Sequence, residues 1–101
     1  AWGGRQIVPR NWLTRMLAPA VMMEDGRRYG YQWYLGASFA AALPHPERWA
    51  GGIGWGGQRL YLFPALDLVV VQCCGNYDKP AAEQRRINDV VIDEVVLPVL
   101  A

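Results

Sequence analysis

The 101-residue chain has no excess of charge of one sign: ten Lys plus Arg stand against nine Asp plus Glu, a net charge of +1. No basic stripe therefore asks for nucleic acid or an anionic surface, and nucleic-acid binding drops out. Long apolar runs are missing too, so nothing is long enough to span a membrane, and no basic-then-apolar signal segment opens the chain. Ser38, Thr14 and His45 are each the sole residue of their type, and Lys79 is the one lysine. Cysteine occurs only as the adjacent pair Cys73-Cys74. On a strand these side chains diverge, so a disulfide between them is strained and two small buried apolar residues are expected. Neither has a neighbouring cation to activate it. Metal-ligand spacing is absent, and neither a metal nor a cofactor is expected. The start, Ala1-Trp2-Gly3-Gly4, carries no Met and reads as a cut or processed chain, which leaves the compartment open between periplasmic or secreted and cytoplasmic.

What the chain does have is apolar and aromatic weight: 52% hydrophobic residues and five Trp, enough for one domain with a core. Trp12, Leu13, Met16 and Leu17 share a face at helical spacing, with Pro9 or Asn11 as the start signal of a short helix. Tyr29 to Leu35 reads as a strand, and Gly36 to Trp49 as a strand end followed by loop, because Pro44-His45-Pro46 forbids a long helix. Gln58 to Phe63 and Leu68 to Cys74 form a hairpin across Pro64-Ala65-Leu66-Asp67. The run Leu68-Val69-Val70-Val71 is apolar on both faces, which implies a sheet covered on both sides. Ala81 to Leu97 is a helix with Ile87, Val91 and Val95 on its buried stripe, Arg86, Asp89 and Asp93 on a solvated face, and Pro98 as its stop.

Nucleophile chemistry has little to work with. Ser38 and His45 lack a third orienting group and read as loop residues. The informative stretch is Gly51-Gly52-Ile53-Gly54-Trp55-Gly56-Gly57-Gln58, five glycines around one tryptophan at the start of a strand. Glycine there marks a bulge or a place where a ligand or another backbone comes close. The alternative is a glycine-rich strand start packed under Trp49.

Together with Trp2 to Leu13, Tyr29-Gly30-Tyr31-Gln32-Trp33 and Gly57 to Val71, that stretch resembles the C-terminal part of the serine β-lactamase-related hydrolases. That family holds class C β-lactamases, D-amino-acid-releasing peptidases, family VIII esterases and 6-aminohexanoate-dimer hydrolases. The resemblance covers nearly the whole chain in the right order. It implies an α+β, transpeptidase-like fold of which this chain is the C-terminal portion: a three-stranded antiparallel sheet (Tyr29 to Leu35, Gly54 to Phe63, Leu68 to Cys74) with the C-terminal helix packed on it. In the family a Ser-x-x-Lys supplies nucleophile and base, a Tyr-x-Asn follows, and a Lys/His-x-Gly triplet lies on a strand edge. Trp55-Gly56-Gly57 falls at the triplet, with Trp where Lys or His stands, a variant some esterase-type members resemble. No cation is then present there to meet a β-lactam carboxylate.

The other two motifs do not occur in this chain. The implied role is one wall of an acyl site: Trp55, Gly56 and Gly57 against a small ester or amide substrate, and the backbone N–H of Gln58 as one oxyanion donor. The implied partner is the N-terminal portion of the same domain. A catalytically inactive homologue and a small binding module using exposed Trp and Tyr residues are the rival readings.

Overall fold

A computed structural model describes residues 2–24 and 26–100. Pro9 caps helix α1 (Arg10–Met16), so its fixed φ starts the helix, while the Asn11 side chain accepts only the next amide, that of Trp12. The chain then lays down β1 (Val21–Met22), β2 (Arg28–Gly30), β3 (Trp33–Ser38), β4 (Glu47–Gly54), β5 (Gln58–Phe63) and β6 (Leu68–Gln72). These pair in sequence order as one six-stranded antiparallel sheet, followed by helix α2 (Ala81–Val90). The architecture is α+β, with six strands in place of the expected three.

The extra strands come from turns that composition hides. The expected strand Tyr29 to Leu35 folds back on itself at Tyr31 and Gln32, both at positive φ (48° and 69°). Two such residues make the tight hairpin turn usually signalled by Asn-Gly, and neither residue type announces it. The expected strand Gly54 to Phe63 is likewise interrupted, because Trp55-Gly56-Gly57 is the turn joining β4 to β5, which pair from Gly54 opposite Gln58. The strand before it, β4, begins at Glu47, inside the stretch from Gly36 to Trp49 expected as a strand end followed by loop. Its glycines look unfavourable for a strand, yet Gly51 is where a Cβ would land on the Leu60 carbonyl oxygen of β5. The glycine lets two backbones close.

The core lies between one sheet face and the C-terminal helix: Tyr61 and Phe63 of β5 meet Ile92 and Leu97, flanked by Trp49, Leu68, Val70 and Val96. Trp49 stands edge-on to Tyr61 at 5.0 Å between ring centres and covers Gly36 across the β3–β4 ladder. The helix continues past Val90 as a wider π-helical turn (Val91–Val96) and a 3-10 turn (Leu97–Leu100). The change falls on the β-branched run Val90-Val91-Ile92, whose side chains crowd the preceding turn. Pro98 sits inside the last turn and does not stop the helical course. The buried stripe is also displaced from the expected one. Gln84, Asn88 and Ile92 face the sheet, and Val95 faces solvent.

The other sheet face is open along β6. Val69 and Val71 of the edge strand β6 are 61% and 64% exposed, so the expected cover on both sides is not present among the described residues. β6 ends at Gln72, and the chain leaves the ladder there; Cys73 is exposed rather than buried, Cys74 is half-buried, and both are free thiols. No helix among the described residues is long and apolar enough to cross a membrane.

The β4–β5 contact makes a paired test. Gly51→Ala should cost about 1–3 kcal/mol, because the obstacle is backbone that cannot rotate away. Gly52→Ala, whose Cβ would meet only the Leu60 Cβ at 3.9 Å, should leave the thermal midpoint nearly unchanged. Equal midpoints for the two variants, read by circular dichroism, contradict this packing.

Candidate functional site

Trp55-Gly56-Gly57 turns the chain through two residues at φ 89° and 90°, a region that glycine takes without penalty. A side chain on Gly56 would overlap the Tyr77 ring, and one on Gly57 would meet the Cys74 Cβ at 3.0 Å and the Asn88 Oδ1 at 3.2 Å. What approaches these glycines on that side is therefore the chain's own Tyr77, Cys74 and Asn88. Trp49 lies elsewhere, over Gly36.

The backbone of the turn is held from three directions. From α2, the Gln84 Oε1 accepts the Gly56 N–H at 2.9 Å, and the Asn88 Nδ2 donates to the Gly57 carbonyl at 3.1 Å. Asn88 is 0% exposed and also donates to the Gln72 Oε1 at 3.0 Å, tying the turn to β6. From β5, the Arg59 Nη1 donates to the carbonyls of Gly54 (3.1 Å) and Gln58 (2.8 Å), the residue pair on either side of the turn. From the segment after β6, the Asn76 N–H donates to the Gly56 carbonyl at 3.0 Å. Polar groups in a dry interior are expensive unless bonded, so each of these bonds fixes the turn firmly. The Asn88 Oδ1 is buried without a hydrogen-bond partner.

Gln58, expected to act through its backbone, also uses its side chain. Its amide accepts the Cys74 N–H at 3.3 Å and donates to the Cys74 carbonyl and to the Tyr77 hydroxyl (3.3 Å). Where β6 leaves the ladder, this amide replaces the missing rung. Trp55 and Tyr77 are 60% and 62% exposed, so the turn presents two aromatic rings to solvent around a rigid backbone. The four expected residues, Trp55, Gly56, Gly57 and Gln58, are thus brought to one place. Gln84 and Asn88 lie off the apolar stripe expected for α2, because the helix meets the turn with amides four residues apart.

The expected loop residues Ser38 and His45 are engaged separately. Ser38 is buried on β3 and hydrogen-bonds the Asp93 carboxylate, while the His45 Nδ1 lies 3.3 Å from the Glu47 Oε1. Asp89 and Asp93, expected on a solvated face, are partly buried near Arg59, Tyr61 and Ser38, around a cavity of about 240 Å³. Desolvation raises both carboxyls above the ordinary range, and for Asp93 the neighbouring Asp89 charge adds to it. Burial also raises the Tyr61 hydroxyl, against the opposing pull of Arg59. Among the described residues no group of three or more His, Cys, Asp or Glu side chains could hold a metal ion.

Because the folded state holds the Asp93 proton more tightly than the unfolded chain does, ionising it lowers stability as pH rises through and just above the ordinary carboxylate range. Asp93→Asn keeps an acceptor for Ser38 and should raise the thermal midpoint at neutral pH, with the gain vanishing in acid below that range. A gain independent of pH, or a loss at neutral pH, contradicts the desolvated carboxylate.

No protein-family model matches the chain, and no curated protein and no solved structure matches it either.

Proposed function

We propose that the chain is the C-terminal portion of a β-lactamase/transpeptidase-like serine hydrolase that cleaves an ester, amide or β-lactam through an acyl-enzyme. In this reading Trp55, Gly56 and Gly57 line the acyl site and the Gln58 backbone N–H is one of two oxyanion donors. The observation that carries it is the glycine turn itself. Stabilising a developing oxyanion needs backbone donors that do not reorganise during the reaction. Here a backbone free of Cβ atoms is locked by Gln84, Asn88 and Arg59, beside the amide in question. The exposed Val69 and Val71 and the free edge of β6, a strand without a charged residue, suit a neighbouring portion of the same domain. Nucleophile and base come from that portion.

A second reading has its own observation. Trp55 and Tyr77 stand exposed on a fixed turn, which suits a binding module that uses aromatic anchors.

Reading the gene in frame upstream for Ser-x-x-Lys and assaying the extended protein on p-nitrophenyl butyrate separates the two. The hydrolase reading expects turnover by the extended protein and none by the 101-residue chain. It also expects Gly57→Val to lower kcat by about 10²- to 10³-fold, the scale of one lost oxyanion donor, in protein shown to remain folded. Ester hydrolysis by the short chain that disappears in Ser38→Ala, or a near-normal rate for Gly57→Val, overturns it.

The same reading expects the bare chain to associate at high micromolar concentration through β6 and its valines. Val69→Lys with Val71→Lys should shift light scattering toward the monomer. A bare chain that is monomeric throughout, with a cooperative melt, favours the binding module.

A further inference from the structure

The open sheet face is not uniform. On the half formed by β2, β3 and β4 it sinks into a groove of about 410 Å³, floored by Leu35, Ala37 and Ala50 and walled by Pro64 and Leu17. That volume lies in the range of small-molecule sites, roughly 300–1,000 Å³. The charged side chains lining it are Arg28 and Arg48, both exposed, with no carboxylate among the described lining residues. This is a marked bias in a chain whose net charge is only +1.

The register explains how the two arginines come together. Arg28 pairs with Leu35, Leu35 with Ala50, and Ala37 with Arg48, so all five residues project from one face. The arginines are two strands apart and offset by two residues, which puts their Cα atoms roughly 12 Å from each other across the apolar floor. That gap is within the joint reach of two arginine side chains. Neither has an ion-pair partner among the described residues, so both are available to an incoming anion.

We propose that the groove binds a small amphipathic monoanion, a carboxylate on an unbranched or aryl apolar body. The head sits between Arg28 and Arg48 and the body lies over Leu35, Ala37 and Ala50. The site is separate from the glycine turn, which lies at the opposite end of β4, and it does not depend on the hydrolase reading.

Ligand-observed NMR at low micromolar protein, titrating decanoate against 1-decanol, tests this on the chain as it is. Decanoate should bind saturably and at least tenfold tighter than the alcohol, about 1.4 kcal/mol. The double variant Arg28→Gln with Arg48→Gln should bring decanoate down to the level of 1-decanol and leave the alcohol unaffected. Ala37→Phe, which fills the groove, should abolish binding of both. Equal affinities for acid and alcohol, an unchanged decanoate affinity in the double variant, or persistence of binding in Ala37→Phe would each overturn the proposal, the last by placing the ligand elsewhere on the open face.

Discussion

Two side-chain amides on α2 hold the backbone of a three-residue turn, and much of the local structure follows from that contact. Gln84 takes the N–H of Gly56 and Asn88 supplies a donor to the carbonyl of Gly57. A backbone turned at φ near 90° twice in succession exposes its polar groups to the inside of the molecule. They must be bonded there or the turn would open to water. The helix face that docks against the sheet is therefore polar at its first two turns and apolar only from Ile92 onward, where it meets Tyr61 and Phe63. One helix does two jobs along its length. Its first half is a clamp and its second half is core.

This arrangement sets what the site offers. Four carbonyls around the turn, those of Gly54, Gly56, Gly57 and Gln58, and the Gly56 amide are occupied by the chain's own donors and acceptors. What faces outward is aromatic surface from Trp55 and Tyr77, over backbone that has little freedom to move. Rigidity of that kind serves an acyl site, which gains from donors already in place, and it serves an aromatic anchor site equally well by reducing the entropy lost on binding. The proposed assignment to a hydrolase rests on the glycine pattern and on the order of the flanking segments. The choice between these uses depends on whether a nucleophile is brought to the turn.

Some of this was legible in the residues. The β5–β6 hairpin across Pro64 follows from two apolar runs and a turn-forming proline, and α1 and α2 follow from helical spacing. The glycine cluster marked a close approach, and what comes close to Gly56 and Gly57 is the chain's own Tyr77, Cys74 and Asn88. Other features were hidden for physical reasons. The Tyr31–Gln32 turn uses positive φ on residues that carry no turn signal, so one strand was seen where two exist. β4 was obscured because Gly51 and Gly52 look like strand breakers until the Leu60 carbonyl is seen pressed against Gly51. Gln84 and Asn88 escaped because periodicity is read in apolar residues, whereas the partner of this helix face is a polar turn. The valines of β6 suggested cover on both faces, and composition says nothing about whether the covering element belongs to the same stretch of chain.

Hydrogen exchange at the Gly56 amide addresses the clamp directly. If Gln84 holds that proton in a dry interior, Gly56 should exchange nearly as slowly as the amides of β5 that require global opening. In Gln84→Ala the protection of Gly56 should fall by orders of magnitude while the β5 amides keep most of theirs. A Gly56 amide that exchanges as fast as an exposed turn in the native chain, or that is indifferent to the loss of Gln84, would contradict the account.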